Sequence, residues 1–523
     1  MKTSAHFLII VLIFLSGVSL LKAQPLNSAQ IDELTERTLT TFDVPGIAVA
    51  VVKDGKIVHS KGYGVRSLKT NEKVDENTLF GIASNSKAFT AAAIGILIDE
   101  GKLTWDDKVI HHIPEFRMYN SYVTEEFTIR DLLTHRSGLG LGAGDLMFWP
   151  DSSNFTMKDI IYNLRYLKPV SGFRTKYDYD NLLYMVAGEV IARVSGKSWE
   201  EFVEERLMKP LQMNNSAGSW LRVKDKSNAI EAHAPVNGKV QIIPRDIFRF
   251  GNSAGGINSS VADMSKWIIM QMNGGKYGDD PGKQLFSKKV HNEMWTPQTI
   301  IPVNASPPYN THFSAYGLGW FLSDVKGYKQ VTHTGGLAGM VTQVTLFPEL
   351  QLGIIVFTNQ QSGAAFSAIT NTIKDSYLGI PPTDRVKINN ERVKAGLAEA
   401  DSITNNIWNA IAIEQRKNAG KVDFKPFSGT YHDNWLGDIV LSEKNGKFRF
   451  DSKRSPKLSG EVFFYKNNTF IVKWDRRSFD ADAYLHFQTS KDGKPFSIKM
   501  EAISPLTDFS FDFQDLDLKR VGK

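Results

Sequence analysis

The sequence predicts an α+β unit, one sheet covered by helices, followed by a small antiparallel β-barrel. Three features carry that prediction. Strand-like runs stand at both ends of residues 46–380 with helical periodicities between them, and a sheet must bury its apolar faces against such helices. A polar helical stretch with few large apolar anchors follows. Beyond Phe424 the chain holds short strands at regular spacing and no helical period, the texture of a barrel or sandwich.

The elements can be justified in chain order. "MKTSAHFLIIVLIFLSGVSLLKAQP" sets Lys2 ahead of an apolar run from Phe7, with Ala23 before Gln24; this is the layout of a secretory signal peptide. Leu21 fits poorly three residues before that cut, and an uncleaved anchor is the alternative, although the run is short for a membrane span. A periplasmic or secreted protein is expected, with no stable membrane insertion once the signal is removed. "GIAVAVVKDGKIVHSKGYG" reads as a hairpin turning at Asp54-Gly55. A helix begins after Ser84, and "LTWDDKVIHHIPEF" is loop and short turns. "FTIRDLLTHRSGLGLGAG" suggests a short helix capped by Thr128 and running into a glycine-rich loop. "NLLYMVAGEVIARVSG" has helical spacing that should stop at Gly196, and "SSVADMSKWIIMQMNGG" is another capped helix. "YGLGWFL", "VTQVTLF" and "LGIIVFTN" read as strands, and "AAFSAITNTIKDSYLG" closes the unit as a helix. Hairpins about Asn445-Gly446 and Asp492-Gly493, with another in "EVFFYKNNTFIVKW", fill the C-terminal part. The expected division is a signal at 1–23, a sheet-and-helix unit at 24–383, a helical linker at 384–423 and a barrel at 424–523.

Composition removes several classes of function. There is no cysteine, so disulfides and thiolate metal sites are excluded and stability must come from core burial. The net charge is +6, and loss of Lys2 and Lys22 with the signal leaves the mature chain at about +4. Basic residues are dispersed among acids, with no aromatic-interleaved stripe, which argues against a nucleic-acid partner. The adjacent His111-His112 would point apart on any regular element, and His135 fits a hydrogen-bonded structural role. "SGLGLGAG" lacks the Gly-x-Gly-x-x-Gly spacing and follows a helix, so neither a metal nor a nucleotide cofactor is expected. That loop, with "DLMFWP" after it, fits the rim of a cleft.

One stretch stands out, "GIASNSKAFTAAAIGILIDEGKL". Ser84 and Lys87 lie three apart at the start of an apolar helix, on one face. The helix N-terminus favours developing negative charge. A serine needs a base to become a nucleophile. A lysine serves as that base only when burial lowers its pKa, and a shift of about three units costs roughly 4 kcal/mol. Ser-x-x-Lys also occurs at Ser19, in the signal, and at Ser323, read as a turn after a strand. Pattern alone leaves a plain helix cap and a nucleophile equally open for Ser84. Two partners lie downstream: "KYDYDNLLYMVAG" offers Tyr179 and Asn181 before a helix, and "QVTHTGGLAGM" offers His333, Thr334 and Gly335 leading into a strand.

Taken together, these segments resemble the serine β-lactamase and penicillin-binding superfamily, in the branch of class C β-lactamases, D-alanyl-D-alanine carboxypeptidases, D-aminopeptidases and related esterases. "TLFGIASNSKAFTA", "LTWDDKV", "FTIRDLLTHRSGL", "YDYDNLLYMVAG", "SAGGINSS", "YGLGW" and "HTGGLAGM" carry the likeness across residues 30–380. The C-terminal part resembles the lipocalin-like barrel appended to some of these hydrolases. The resemblance implies a β-lactamase/transpeptidase-like sheet with an all-helical subdomain. It gives Ser84 the nucleophile's role, Lys87 the proton acceptor's and Tyr179 that of a proton shuttle. It implies that Asn181 binds the acyl side of the substrate, with His333, Thr334, Gly335 and Gly336 on the opposite wall. The amides of Ser84 and Gly336 would form the oxyanion hole, a donor pair that typically supplies about 3 kcal/mol or more. Superfamily members carry Ser-x-x-Lys and Lys-Thr-Gly signatures, whereas this chain has His333 where class C β-lactamases have lysine. A histidine supplies only partial charge at neutral pH, which favours a peptidase or esterase over an efficient β-lactamase.

Two alternatives remain at this level. "GNSAG" fits the Gly-x-Ser-x-Gly elbow with Ser253 as nucleophile, but that motif needs a helix directly after it, and "GINSS" intervenes. The chain could also be a penicillin-binding or peptidoglycan-fragment sensor whose acyl-enzyme persists. A small molecule or peptide is the partner implied in each case. Neither the choice among D-peptide, β-lactam and ester nor the oligomeric state is readable.

Overall fold

A computed structural model describes residues 24–280, 282–418 and 422–522; the signal read at 1–23, and with it the Ser19 match, lies outside the described residues. The first unit is built on an eight-stranded sheet. Its spatial order is Lys56–Gly64, Gly46–Lys53, Leu352–Thr358, Met340–Phe347, Tyr328–Leu337, Phe321–Val325, Ser314–Tyr316 and Thr299–Ile301, with every pairing antiparallel. The expected hairpin turns at Asp54 and Gly55, both at positive φ, as a two-residue turn with matching twist demands.

The central strands are buried on both faces, and their alternation shows it. Ile47, Val49 and Val51 pack with Ile354 and Val356 under the helices Ser28–Thr41 and Gly363–Tyr377. The intervening Ala48, Ala50 and Val52 join Ile355 and Phe357 in the main core on the other face. A one-residue slip would exchange these sets, so the register is strongly fixed. The main core holds the helices Ser86–Asp99, Leu182–Ser195 and Val261–Met272. From Ser86 to Leu97 the first of these is buried on every side, as befits a helix at the centre of a large domain. The second stops at Gly196 in the left-handed conformation.

Three local expectations are corrected. "YGLGWFL" is not one strand: the chain turns over between Tyr316 and Phe321 because Gly319, at φ +80°, lies against the helix start, where a Cβ would meet the Lys87 carbonyl oxygen at 2.8 Å. Thr128 does exchange capping bonds with Asp131, but only a single turn of 3-10 helix, Asp131–Leu133, follows. The Asp131 carboxylate is buried and held by Arg136 and Arg174, which draws the chain into a tight loop. Ser323 sits within a strand and not in a turn.

Helix Arg385–Asn418 bridges the two parts. Val386 joins the core beneath the sheet, whereas Ile407, Ile411 and Trp408 pack on Ile471, Ile503 and Phe463. Eight antiparallel strands then close into a barrel, from Gly429–Asp433 to Leu518–Val521, which leaves no open edge. The α+β class with a terminal β-barrel is thus the observed architecture. The barrel docks on the first unit through Arg454 to Asn154, Asn163 to the Trp435 carbonyl, and Arg476 to Asp246. Among the described residues, no helix is long and apolar enough to cross a membrane.

Candidate active site

Ser84 lies on a 3-10 turn, Ala83–Asn85, directly ahead of the central helix. Ala83 adopts φ +49°, a strained choice for a residue with a Cβ, and the turn is pinned from several sides. Asn85 Nδ2 donates to Thr342 Oγ1 at 2.9 Å, Thr342 Oγ1 donates to the Ile82 carbonyl at 2.9 Å, and the Ile257 amide donates to Ser86 Oγ at 3.1 Å. Ser84 is not a helix cap: Asn85 holds that position, without a side-chain capping bond. The Ser84 side chain is partly open to a cleft.

Lys87 is fully buried one turn on. Its ammonium nitrogen lies 3.1 Å from Ser84 Oγ, 2.8 Å from Asn181 Oδ1 and 2.9 Å from the Ala254 carbonyl oxygen. A protonated lysine donates to all three. A neutral amine keeps two N–H donors and one lone pair, and Ser84 is the single partner that can turn from acceptor to donor. The same geometry therefore serves both protonation states, and deprotonation aims the lone pair at the serine proton. Burial lowers the Lys87 pKa to about 7, against the opposing pull of Asp145 and Asp180.

Tyr179 and Asn181 arrive from the loop preceding Leu182–Ser195. The Tyr179 ring lies under Lys87 Nζ, 4.7 Å from centroid to nitrogen, and its hydroxyl interacts with the Ser84 side chain. Burial holds the phenol well above its ordinary pKa, the Ser84 contact pulling it partly back. Asn181 stands at the N-cap of that helix yet makes no capping bond. Its side chain is committed elsewhere, accepting from Lys87 and donating through Nδ2 to Asp145 Oδ2 at 2.8 Å. A local rule gives way to the site.

The strand Tyr328–Leu337 forms the opposite wall. Its pairing with Phe321–Val325 ends at Thr332, so residues 333–337 present an edge beside Ser84. Thr334 and Gly336 are exposed and line the cavity, while Gly335 is buried against the Ser84 turn. His333 is also buried, paired through Nε2 with the Tyr316 hydroxyl at 3.0 Å and through Nδ1 with the Thr334 carbonyl. Burial, with the nearby Lys87 charge, pushes its pKa down to about 3. The partial charge expected at neutral pH is therefore corrected to none. His333 imidazole resonances should not titrate between pH 5 and 8 by NMR; a midpoint near 6.5 would contradict this environment.

The structure thus brings Ser84, Tyr179, Asn181, His333, Thr334 and Gly336 to one cleft of about 580 Å³, with Lys87 buried behind Ser84 and Gly335 buried against the Ser84 turn. Ser253 lies elsewhere. No strand leads into it, its helix is four residues long, and a Cβ at Gly188 would meet its hydroxyl at 2.3 Å. What "GNSAG" contributes is the Ala254 carbonyl for Lys87, and the Ser253 carbonyl accepts from Thr90 Oγ1 at 2.7 Å. Further residues complete the site, some expected and some missed by sequence reasoning. Asp145, inside an apolar and glycine-rich run, is fully buried beside Asn181; a lone acid in such a run was the available signal. His135 packs on Tyr179 with ring centroids 4.2 Å apart. Leu141, Phe148 and Trp149, from the glycine-rich loop and the "DLMFWP" segment read as a cleft rim, line the cavity. Phe509, Ser510 and Phe511 enter from the barrel, and nothing local in the sequence points to them.

A sheet covered by helices sets a serine and a buried lysine beside a strand edge. The chain belongs to the Beta-lactamase family, whose model matches residues 31–378. A second model, a domain of unknown function (DUF3471), matches residues 418–520. Among curated relatives, unguisins hydrolase ungD of Aspergillus violaceofuscus (strain CBS 115571) is 30% identical over 369 residues, 66% of this chain and 64% of that protein. Protein flp of Staphylococcus aureus (strain MW2) is 29% identical over 340 residues, 64% of this chain and 64% of its own length. These matches therefore span just under two thirds of each relative. Among solved structures, the octameric penicillin-binding protein homologue from Pyrococcus abyssi aligns with TM-score 0.61 and 20% identity, covering 95% of this chain and all of that one. A class C beta-lactamase aligns at TM-score 0.54 and 20% identity over 68% of this chain and 96% of its own. The superfamily resemblance read from the motifs is confirmed.

Proposed function

We propose that this chain is an exported serine hydrolase that forms an acyl-enzyme on Ser84. The observation carrying that reading is Lys87: buried, pKa near 7, and placed so that its one free lone pair can face only the serine hydroxyl. Ser84 Oγ attacks a substrate carbonyl as its proton passes to Lys87 Nζ. The carbonyl oxygen, now negative, is held by the amides of Ser84 and Gly336. The leaving amine or alcohol departs with a proton delivered through Tyr179, and water then releases the acyl group by the reverse proton path.

The cavity supports a substrate class. Its walls are mostly aromatic and aliphatic, with Phe148, Trp149, Phe248 and Phe509 among them. Its acidic side chains are Asp246, Asp480 and Asp508; burial raises the pKa of Asp246 to about 7 and also raises that of Asp480, and Asp246 is paired with Arg476. No arginine or lysine lines the cavity among the described residues. With His333 neutral, no fixed cation awaits a substrate carboxylate. A neutral amide or ester with a bulky apolar group fits this lining better than a carboxylate-bearing β-lactam.

Intact-protein mass spectrometry tests the reading. After incubation with p-nitrophenyl esters, a D-Ala-D-Ala peptide and a fluorescent penicillin, the wild type should show acyl adducts and Ser84→Ala none. Apolar esters should turn over fastest. An adduct that survives in Ser84→Ala and disappears in Ser253→Ala would reverse the assignment.

A further inference from the structure

The barrel does more than flank the cleft. Between its last two strands, Pro495–Ala502 and Leu518–Val521, the chain leaves the barrel wall and enters the active site. There Ser510 Oγ donates to Asp145 Oδ2 at 2.8 Å. Asn181 Nδ2 donates to the same oxygen at 2.8 Å, and Asn181 Oδ1 accepts from Lys87 at 2.8 Å. Two residues on, Asp512 accepts from the amides of Gly144 and Leu146, at 2.6 and 3.2 Å. These flank Asp145 in sequence, so the barrel segment grips the turn carrying Asp145 on either side and touches its carboxylate as well. Ser510 is 7% exposed, and Asp145 and Asp512 are 0% exposed.

The direction of these bonds matters for the base. A side-chain amide has two ends of nearly equal shape and opposite polarity. The lysine nitrogen needs the oxygen end of Asn181, because the NH2 end would repel it. What orients the amide is a pure acceptor on its far side. Burial favours a protonated Asp145, well above the usual carboxylate range, and donation from Asn181 and Ser510 opposes this. A protonated Asp145 could itself donate and would then favour the flipped amide. A hydroxyl that donates to Oδ2 keeps that oxygen an acceptor.

We propose that Ser510, contributed by the C-terminal barrel domain, is a positioning residue of the active site that acts through Asp145 and Asn181 on Lys87. The inference deepens the acyl-enzyme reading and rests on it for its kinetic consequence. It makes the barrel a component of the proton-transfer apparatus.

The charged and titratable surroundings set the sign of the expected effect. Lys87 faces Asp145, Asp180, Tyr179, Tyr184, His135 and His333; Asp145 faces Lys87, Asp508 and Asp512. Without the Ser510 donor, Asp145 protonates more readily, and a negative charge that favours the protonated lysine is lost. The Lys87 pKa should then fall.

The test uses the full chain as wild type, Ser510→Ala and Ser510→Thr, with folding checked by thermal melting. NMR of protein labelled at the lysine ε-carbon reads the Lys87 titration directly, whether or not any substrate turns over. Hydrolysis of a p-nitrophenyl ester gives kcat and KM against pH. In Ser510→Ala the Lys87 midpoint and the acid limb of kcat should both move to lower pH, by about half a unit or more. At the optimum, kcat should fall about tenfold with KM little changed. Ser510→Thr, which keeps the hydroxyl, should restore both. An unmoved Lys87 midpoint in a folded Ser510→Ala protein overturns the inference, as does a loss of kcat that threonine fails to restore. A shifted midpoint in a protein without turnover upholds the positioning role and defeats the hydrolase reading. Turnover through Ser84 with no shift does the opposite.

Discussion

Lys87→Met should lower kcat/KM by about 10³-fold, the range expected when a general base is removed, while shifting stability in the variant's favour as pH falls. Methionine keeps most of the apolar stem and fills the same burial, so the chain should fold. What disappears is the acceptor for the Ser84 proton. The stability change follows from linkage. The folded-state pKa of Lys87 is about 7 against an ordinary value of 10.5. Between those values the unfolded chain binds a proton that the native chain does not, so wild-type stability rises with pH across that window. Below pH 7 the full penalty of burying the ammonium is present, about 5 kcal/mol at 1.36 kcal/mol per unit. Lys87→Met carries no such term. Urea melts of the two proteins at pH 6 and pH 10 read the difference: the gap should move toward the variant by a few kcal/mol on going to pH 6. A gap independent of pH would mean that Lys87 is not held at a lowered pKa, and its candidacy as base would fail with it. The activity of the wild type should rise through about pH 7 as the amine deprotonates.

Much of this site could be read from the chain because its parts are short and chemically distinctive. Ser84 and Lys87 are tied by helical geometry, and a cation at the head of an apolar helix is conspicuous. Tyr179, Asn181 and the His333 strand come from separate elements, and single motifs there are weak; their order along the chain carried the inference. The hairpins were legible because Asp-Gly and Asn-Gly turns code for positive φ locally. What escaped depends on contacts between distant segments. Nothing near Ser510 announces that its hydroxyl will meet Asp145, more than 360 residues earlier. Charge state escaped for a similar reason: the neutrality of His333 comes from the burial supplied by Tyr316, Phe321 and the lysine helix, not from its own neighbours. The loop in "YGLGWFL" reads as strand because its apolar residues are real core residues. Its true constraint is a backbone approach to the lysine helix that only glycine allows.

Gly335→Ala gives the other large expected effect, and it separates packing from chemistry at the strand edge. A Cβ there would stand 2.3 Å from the Ile82 carbonyl oxygen, 2.6 Å from Thr342 Oγ1 and 2.9 Å from Ala83 Cβ. These are not loose side-chain ends. The Ile82 carbonyl and Thr342 hydroxyl belong to the hydrogen-bonded mesh that holds the Ser84 turn, so relief requires the strand and the turn to part. Overpacking of this kind costs typically 1–3 kcal/mol, and a displacement of about 1 Å at a reacting group can cost 10²-fold in rate. The variant should therefore lose stability by about 2 kcal/mol and acylate about 10²-fold more slowly. Gly336, its neighbour, is the control: a Cβ there meets nothing within 4 Å, and Gly336→Ala should melt within about 0.5 kcal/mol of the wild type. Thermal melts joined to the rate of ester-driven adduct formation decide the matter. If Gly335→Ala matches the wild type in both, the close apposition of strand and nucleophile turn is wrong. With it would fall the proposed oxyanion hole of the Ser84 and Gly336 amides.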